Sequence, residues 1–508
     1  MGGAGATAPA TDRRNPYSPH TPEDRRAMLD AVGVTSVDEL LTAIPEHARR
    51  PAMGVPPGMS EMELFAELSR IAARDRPAGS GPFFLGAGVY RRYIPAAVPV
   101  LATRGEFLTA YTPYQPEVSQ GTLQAIWEYQ SLVAELLGMD VANSSLYDGS
   151  TAVAEAAMLA VRVTGRHRVV VSTDVHPQHR AVLRTYANGP DLEIVEVGDG
   201  VAGLAAATDG AACLIAQNPS FVGTIADLRA VADAAHTVGA LAVASVEPIS
   251  CALLEPPGAC GIDVAVGDGQ PLGIPMSFGG PHVGLMAVRE SLVRQMPGRI
   301  AGATRDADGV RGFVNTLQTR EQHIRREKAT SNICTNEAVY AIHAAIYLAL
   351  MGPRGLASVA ARSVESAHRL AQRLAEIPGC AIANDGPFFN EFALRTPIDA
   401  AVLRDELLAG GIVAGYPLGR EYPDRANEIL VACTELTTEA DMDALVEGVR
   451  RICAGRARPA GAARSRGGPP RTRRSPGPDS TLTAEGEAPD PRQRRRAAPD
   501  PRAGDRRP

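Results

Sequence analysis

The middle of the chain alternates short apolar runs with longer stretches whose apolar positions repeat at helical spacing. The apolar runs occupy residues 169–171, 192–197, 213–217, 240–246, 262–266 and 283–288. The stretches between them include 151–163, 177–186 and 227–238. Because buried strands that alternate with helices are typical of βαβ units, the pattern predicts a mostly parallel sheet with helices on both faces. Ligands of such sheets bind beyond the carboxyl ends of the strands.

Helical patterns also precede this region. Thr21 and Ser36 each stand before a short helical pattern, and Ser60 with Glu63 forms a capping box that opens a third helix. These helices have too few apolar positions to build a core of their own. We therefore predict that residues 1–80 form a helical arm that packs on the next domain or on a partner.

A second region of mixed pattern comes after the strand series. Long helical patterns cover 336–350, which Gly352 and Pro353 close, and 356–377. Further strands and helices are predicted at 388–394, near 412, at 429–433 and at 439–452. The chain should therefore contain a large α/β domain over 81–345, a smaller C-terminal α+β domain over 346–455, and a tail over 456–508.

Composition narrows the class of protein. The chain has 508 residues, 45% of them hydrophobic, which is enough for two or three domains. No run approaches the roughly 20 apolar residues of a membrane span, and the N-terminus lacks the apolar segment of a signal peptide. The seven cysteines have no CxxC spacing, which argues against a disulfide framework and a zinc site. We expect a soluble, cytoplasmic protein without a metal.

Charge is distributed unevenly along the chain. Residues 456–508 contain 14 arginines and six acidic residues, a formal charge of +8, so the net charge of −6 leaves about −14 on the rest. The tail is rich in Pro, Gly and Arg and nearly free of large apolar residues, which predicts disorder. Nucleic-acid binding is the weaker interpretation, because no aromatic residue is interleaved for base stacking.

The segment GEFLTAYTPYQPEVSQG, residues 105–121, is crowded with Tyr, Pro and Gln. Its prolines make regular structure improbable, and its side chains concentrate hydrogen-bonding groups beside aromatic faces, as binding loops do. The predicted catalytic residues of this loop are Tyr111, Tyr114, Gln115 and Glu117. The alternative is an aromatic-rich loop that only packs between helices.

Lys328 is the only lysine in the chain, since the other 50 of the 51 Lys and Arg residues are arginines. A guanidinium stays protonated and cannot act as an amine nucleophile, so Schiff-base chemistry needs Lys328 or a lysine of another chain. Lys328 lies in the charged stretch TREQHIRREKATSN. We predict that Lys328 and Asn332 belong to a site where Lys328 binds a phosphate or carboxylate. The alternatives are that Lys328 braces the loop through Ser331 and Asn332, or that it forms a surface ion pair with Glu327 or a neighbour.

A second set of residues could hold a cofactor. Ser150 and Thr151 lie where a loop enters a helix, a position that attracts a phosphate group. Glu247 comes directly after the strand 240–246, where a carboxylate can pair with a pyridine nitrogen. These are two of the three parts of a pyridoxal phosphate site. The third part, a lysine after the strand 262–266, is missing, because that loop contains Gln270 and no amine.

Four motifs carry a resemblance to a known family. They are YTPYQPEVSQGTLQAIWEYQ, DVANSSLYDGSTAVAEA, VGDGQPLGIPMSFGGPHVG and REQHIRREKATSNICTN. Together they resemble the P-protein of the glycine cleavage system in its two-subunit form, and within it the first subunit. The resemblance covers about residues 17–453, and Arg91-Arg92 departs from it, because an Asp-His pair is expected before Tyr93.

The resemblance implies an aspartate-aminotransferase-like fold, that of fold type I pyridoxal phosphate enzymes. It implies pyridoxal-phosphate-dependent decarboxylation of glycine, release of CO₂ and transfer of the aminomethyl group to the lipoyl arm of the H-protein. The Schiff-base lysine belongs to the second subunit of that family, with an α2β2 assembly. Ser150, Thr151, Glu247 and Gln270 are then the expected cofactor-side residues of this chain.

Two alternatives remain. The chain could be a self-sufficient pyridoxal enzyme that uses Lys328, or a non-catalytic scaffold with a basic tail. Lys328 lies about 60 residues beyond the loop in which a Schiff-base lysine is expected, which counts against the first alternative. The intact polar loops count against the second.

Overall fold

A computed structural model describes residues 19–49, 54, 56, 58–109, 111–331, 333 and 336–456. The chain divides into two compact units, Met1–Pro82 and Phe83–Pro508. Disorder was predicted for the tail, residues 456–508. All of these residues after Arg456 lie outside the described part of the chain, so the disorder stays a prediction.

The first unit contains the helices α1 (Pro22–Val32), α2 (Val37–Leu40) and α3 (Glu61–Ala72). Thr21 and Ser60 each form the capping box of the adjoining helix, whereas the Ser36 side chain makes no capping hydrogen bond. No residue of these three helices is buried. Met62 and Phe65 of α3 are 79% and 75% exposed. Buried apolar contacts therefore contribute little to the stability of these helices, and the capping boxes of α1 and α3 contribute more.

A seven-stranded sheet forms the centre of the second unit, in the order β1-β7-β6-β5-β4-β2-β3. Its strands are β1 (Val141–Ala142), β2 (Arg168–Ser172), β3 (Glu193–Val197), β4 (Ala211–Asn218), β5 (Leu241–Val246), β6 (Val264–Asp268) and β7 (Gly284–Val288). The strands β3, β2, β4, β5 and β6 run parallel, and β7 is antiparallel to β6 and to β1. The predicted mostly parallel sheet is confirmed, although the short β1 was not predicted.

Helices cover both faces of this sheet. They are α6 (Gln120–Leu137), α7 (Gly149–Thr164), α8 (Pro177–Ala187), α9 (Gly200–Ala206) and α10 (Leu228–Thr237). The short helices α4 (Ala97–Ala102) and α5 (Gly105–Leu108) precede them in the chain, and α4 packs on the long helix that begins at Ala338. Successive residues of β4 point to opposite faces, so Leu214 packs in the cluster with α6 and α10, while Ile215 packs with α7 and α8. Burial on both faces explains the unbroken apolar runs of the sequence.

A two-stranded hairpin, β8 (Ile300–Arg305) and β9 (Arg311–Thr316), lies outside the main sheet. It was not predicted, because only Ala301 and Phe313 of these strands pack in an apolar cluster with α6, against Leu123 and Ile126. A hairpin with so few apolar positions gives almost no period-two signal. The short helix α11 (Gln322–Arg325) comes next in the chain.

The long element α12 (Ala338–Ala375) is broken by a kink at Gly352, where φ is 57° and ψ is −178°, before Pro353. The two predicted helices therefore meet at the predicted break. By length and composition, α12 is the one helix of the described residues that could cross a membrane. Its buried face packs in the main core, with Ala344, Tyr347 and Leu348, as the face of a core helix does.

Beyond the kink, α12 packs on a second, antiparallel sheet in the order β10-β11-β13-β12. The remaining elements are β10 (Ala381–Ile382), β11 (Glu391–Arg395), α13 (Ala400–Ala409), β12 (Tyr416–Pro417), β13 (Glu428–Ala432) and α14 (Glu439–Arg456). Short 3₁₀ turns lie at Glu46–Ala48, Pro116–Val118, Ser250–Ala252, Ser277–Gly279, Glu290–Leu292, Gln318–Arg320, Arg326–Lys328, Leu418–Arg420 and Pro423–Arg425. A separate apolar cluster fills this region, as an α+β unit needs.

Candidate active site

A cavity of about 200 Å³ lies where the carboxyl ends of β4, β5 and β6 approach the N-terminus of α7. Its wall includes Ser150, His176, Gln217, Glu247, Asp268 and His282. The structure therefore brings Ser150 and Glu247, two of the predicted cofactor-side residues, into one cavity. Its position agrees with the rule that ligands of such sheets bind at the strand ends.

Histidines contribute much of the cavity wall. His282 is buried, and its Nε2 has no hydrogen-bond partner among the described residues. His176 and His179 are stacked, with ring centroids 4.8 Å apart. Burial lowers the pKa of His176 and lowers the pKa of His179 to about 3. The two stacked rings therefore make their part of the wall polar but uncharged at neutral pH.

Two carboxylates already occupy the N-terminal donors of α7. Asp148 Oδ1 accepts a hydrogen bond from the backbone N–H of Thr151 at 2.7 Å. Asp268 Oδ2 accepts one from the backbone N–H of Gly149 at 3.1 Å. A phosphate group needs such donors and would meet two negative charges beside them. Two of the N-terminal donors of α7 are therefore used by the chain's own carboxylates.

Glu247 is held by an arginine rather than left free for a ligand. Arg92 Nη2 donates to Glu247 Oε1 at 3.2 Å, and Arg92 Nη1 donates to Glu435 Oε2 at 3.0 Å. All three side chains are at most 9% exposed. Burial raises the pKa of Glu247, and the guanidinium opposes that rise. Arg92 is one of the two residues that depart from the family resemblance. Its guanidinium forms an ion pair with the Glu247 carboxylate, the group that would otherwise pair with a pyridinium nitrogen.

The Gln270 side chain is fully hydrogen-bonded to backbone groups of the fold. Its Oε1 accepts from the backbone N–H of Tyr90 at 2.9 Å, and its Nε2 donates to the carbonyls of Tyr90 and Ile274 at 3.0 and 2.9 Å. Both amide hydrogens are therefore used, and the residue is 2% exposed. Gln270 fixes the segment around Tyr90 against the cavity instead of reaching into it.

The same segment contacts a buried carboxyl. Tyr90 Oη donates to Glu391 Oε2 at 2.5 Å, and the backbone N–H of Ala87 donates to Oε1 at 2.7 Å. Burial raises the pKa of Glu391 to about 7, although both hydrogen bonds and Arg92 oppose the rise, while Glu247 adds to it. A carboxyl that titrates near neutral pH therefore lies behind the cavity, and no sequence pattern indicated it.

Pyridoxal phosphate does not fit this cavity as it stands. The phosphate donors are used by Asp148 and Asp268, Glu247 is paired with Arg92, and no lysine of the described residues lines the wall. The cofactor-side roles of Ser150, Thr151, Gln270 and Glu247 stay predictions. For Thr151, Gln270 and Glu247, the internal hydrogen bonds favour a structural role.

The loop from Tyr111 to Gln120 is fixed to the hairpin β8–β9. Asn315 Nδ2 donates to the carbonyl of Pro113 at 2.7 Å. Gln120 pairs with the backbone of Phe313 in both directions, at 2.8 Å each. Tyr111, Gln115 and Glu117 lie exposed on this loop. The loop is thus a surface feature with fixed ends, and these three side chains lie outside any core.

Tyr114 meets the charged stretch of Lys328 in a second pocket of about 400 Å³. Its wall includes Tyr114, Arg299, Glu321, His323, Arg326 and Ile333. Arg299 Nη2 donates to Tyr114 Oη at 3.0 Å, and its guanidinium carbon lies 5.1 Å from the centre of the Tyr114 ring. His323 contacts the same ring edge-on, with centroids 5.8 Å apart. The structure thus places Tyr114 of the loop 111–120 beside the charged stretch that contains Lys328, two candidate regions that are far apart in the sequence.

Lys328 lies at the end of the turn Arg326–Lys328 and is exposed. It makes no hydrogen bond or ion pair within the part of the chain that the structure describes, so the alternative ion pair with Glu327 is absent there. Ser331 Oγ instead donates to the buried Glu155 at 2.8 Å. Asn332 lies outside the described residues, and its predicted role stays untested.

Arg299 and Arg320 were not predicted as site residues. Both are 8% exposed, and nothing in their local pattern distinguishes them from the other 48 arginines of the chain. No group of three or more His, Cys, Asp or Glu among the described residues is arranged to bind a metal ion.

Comparisons with known proteins agree with this architecture. The family model described as "Glycine cleavage system P-protein" matches residues 15–449. A protein of Thermomicrobium roseum named "Probable glycine dehydrogenase (decarboxylating) subunit 1" is 50% identical over 448 residues, 86% of this chain and 100% of the relative. A protein of Rhodospirillum centenum with the same name is 50% identical over 446 residues, 86% of this chain and 99% of the relative.

Solved structures give the same result. A crystal structure of glycine decarboxylase (P-protein) of the glycine cleavage system, in inhibitor-bound form, has a TM-score of 0.81 and 47% identity. The match covers 86% of this chain and 99% of that chain. A sphingosine-1-phosphate lyase of Burkholderia pseudomallei, at 16% identity, and a cysteine desulfurase of Escherichia coli, at 17%, have TM-scores of 0.56 and 0.55 and share the fold alone. The predicted fold class is confirmed.

Proposed function

The chain belongs to the glycine cleavage system P-protein family, and on that premise we propose that it is the glycine decarboxylase subunit without the Schiff-base lysine. The observation that carries the proposal is the cavity at the strand ends. It has the position of a cofactor site but no amine, and its anion-binding and carboxylate groups are paired internally. A second, related subunit supplies the lysine, in an α2β2 assembly.

In this proposal the reaction is the decarboxylation of glycine, with release of CO₂ and transfer of the aminomethyl group to the lipoyl arm of the H-protein. The cofactor of this reaction, pyridoxal phosphate, is held by the partner's lysine. The naming of the relatives as subunit 1 supports a second subunit. The cytoplasm is the proposed location.

This chain's contribution is a set of positioned side chains. The loop Tyr111–Gln120 is fixed to the hairpin β8–β9, and the pocket beside it presents Tyr114 at the surface, where a partner subunit can reach it. The buried Arg299 holds the Tyr114 hydroxyl in place. Groups held in this way can orient a substrate without the cost of ordering a flexible loop. Gln115 and Glu117 are proposed to act there too, because they are exposed on the same loop.

The experiment is an absorbance titration of pyridoxal phosphate with the chain alone, with the second subunit alone, and with both. We expect the spectrum of the free cofactor with this chain alone and a bound spectrum with both, together with glycine-dependent release of labelled CO₂. Decarboxylation by this chain alone would instead establish the enzyme that uses Lys328. Full activity of the second subunit alone would support the scaffold.

A further inference from the structure

Two cysteines of the smaller domain contact each other. Cys380 lies in the connection between α12 and β10, and Cys453 lies in the last turn of α14. A hydrogen bond joins their side chains, so the two sulfur atoms are neighbours. The other described cysteines, which are Cys213, Cys251, Cys260 and Cys433, share no hydrogen bond with a second thiol. The fold therefore brings one pair of thiols together.

The core of the smaller domain holds this pair in place. Cys380 and Cys453 are 8% and 3% exposed, and they belong to one apolar cluster that also contains Ile377 and Ile452. The backbone N–H of Cys380 donates to the carbonyl of Ile377 at 2.9 Å, which fixes the connection after α12. The sulfur atoms of a disulfide are about 2 Å apart. Two thiols already in contact need only a local movement of their side chains to reach that distance.

The pair also differs from the other buried thiols in its acidity. Burial raises the pKa of Cys213, Cys251 and Cys433 to about 12 each, so these thiols stay protonated and unreactive. The hydrogen bond from Cys380 instead lowers the pKa of Cys453, because it stabilises the Cys453 thiolate. The same hydrogen bond, together with burial, raises the pKa of Cys380. Cys453 is therefore the nucleophile of the pair, and Cys380 carries the proton.

The position of Cys453 in its helix gives a small oxidant a route to it. The residue lies three positions before Arg456, where α14 ends. The last turn of a helix lacks part of its hydrogen bonds and opens more easily than the centre. Opening of this turn exposes the Cys453 sulfur while the antiparallel sheet stays folded.

We propose that Cys453 and Cys380 are a site of reversible oxidation, at which a peroxide converts the two thiols into a disulfide. The Cys453 thiolate attacks one oxygen of hydrogen peroxide, the O–O bond breaks, and a sulfenic acid and hydroxide form. The Cys380 sulfur then attacks the Cys453 sulfur, and the hydroxyl group of the sulfenic acid leaves as water. In total two thiols lose two electrons and two protons, and one peroxide becomes two molecules of water. In a reducing compartment the pair rests as dithiol.

The disulfide would close a loop of 72 residues, 381–452, which contains β11, α13, β12 and β13. A cross-link of this length restricts the unfolded chain and so stabilises the folded one. It joins the C-terminal helix to the rest of the smaller domain. We therefore expect oxidation to raise the melting temperature of the full-length chain by several degrees, and a reductant to reverse the rise.

The test treats the reduced full-length chain with hydrogen peroxide and blocks the remaining thiols with N-ethylmaleimide after denaturation. Trypsin places Cys380 in the peptide 374–395 and Cys453 in the peptide 452–456. We expect mass spectrometry to find these two peptides joined in most of the chains, and dithiothreitol to separate them. A folded, peroxide-treated chain in which both residues carry N-ethylmaleimide, or in which Cys453 is overoxidised without a link to Cys380, overturns the proposal.

Variants test the roles of the two sulfur atoms. Cys380→Ala should give no cross-link and no rise in melting temperature, and dimedone should trap its Cys453 as a sulfenic acid. Cys433→Ala is the matched control, because Cys433 is a fully buried thiol of the same apolar cluster, and it should form the cross-link as wild type does. An equal rise in melting temperature for wild type and Cys380→Ala would mean that peroxide acts elsewhere and would refute the site. The linked peptides of the wild-type chain decide the question even where a variant fails to fold.

Discussion

Replacing Arg92 by methionine should cost this chain a large part of its stability. The substitution keeps most of the side-chain volume but removes the guanidinium that contacts Glu247, Glu435 and Ser363. Removing one partner of a buried ion pair typically costs about 3–5 kcal/mol, because it leaves an uncompensated buried charge. Here two carboxylates lose their cationic partner, while Glu247 keeps the backbone N–H of Ser250 and Glu435 keeps that of Tyr93. We therefore expect a loss within that range near pH 7.

The sign of the pH dependence is set by the same contacts. Without Arg92 the pKa of Glu247 should rise further, since burial already raises it and the opposing guanidinium is gone. Protonation then relieves the unpaired charge, so the difference between wild type and Arg92→Met should shrink as the pH falls towards 5. The double variant Arg92→Met/Glu247→Gln should recover about 1 kcal/mol or more of the loss.

The assay is urea unfolding followed by far-UV circular dichroism, with the free-energy difference taken from the midpoint shift and slope. Arg91→Met is the matched control, because Arg91 is the neighbouring arginine, half-buried and without an ion pair in the described part of the chain. It should stay within about 0.5 kcal/mol of wild type. If Arg92→Met is no less stable than Arg91→Met, the buried ion pairs of Arg92 do not support the fold.

Individual contacts lead to four more predictions. In the folded chain the pKa of Glu391 is raised to about 7 from its ordinary value of 4.5. The stability that this group contributes is therefore full below pH 4.5 and falls by about 3 kcal/mol as the pH rises through 7. Glu391→Gln should reduce this pH dependence, which urea unfolding at pH 5 and pH 7.5 measures. Tyr114→Phe or Gln115→Ala should lower kcat/KM of the assembled enzyme about tenfold or more, and wild-type kinetics would make the loop purely structural. Gln115→Ala should leave the melting temperature unchanged, whereas Tyr114→Phe should lower it, because it removes the acceptor of the buried Arg299. Ending the chain at Arg456 should leave both melting temperature and decarboxylation unchanged, and a loss of several degrees would mean that the tail docks. The isolated chain, mixed with pyridoxal phosphate and reduced with borohydride, should carry no stoichiometric label on Lys328, which mass spectrometry of its peptides can check.

Local features of the fold were predictable from the sequence. The capping boxes at Thr21 and Ser60, the helix that starts at Pro177 and the break at Gly352 all depend on residues within a few positions of one another. The parallel strands were predictable because burial on both faces leaves an unbroken apolar run. The hairpin β8–β9 was missed because its stabilising contacts come from α6, far away in the chain.

The candidate sites depend on contacts that a pattern does not contain. Arg92 reaches Glu247 across 155 positions, and Arg299 reaches Tyr114 across 185. In the sequence, Arg92 was visible as a departure from the family resemblance, but its partner was not. Tyr114 was likewise predictable as part of a loop, whereas its surroundings depend on an arginine that no local signal marks.

The cavity at the strand ends has the position of a cofactor site, but its carboxylates are already paired within this chain. Asp148 and Asp268 accept hydrogen bonds from the backbone at the start of α7, and Glu247 accepts one from Arg92. Such pairing stabilises the fold and leaves these three groups little capacity to bind a ligand. His282 Nε2, by contrast, is a buried atom of the same wall without a hydrogen-bond partner among the described residues. The cavity therefore keeps its location and a polar wall but offers no amine, and this is what the proposed division of the site between two subunits requires.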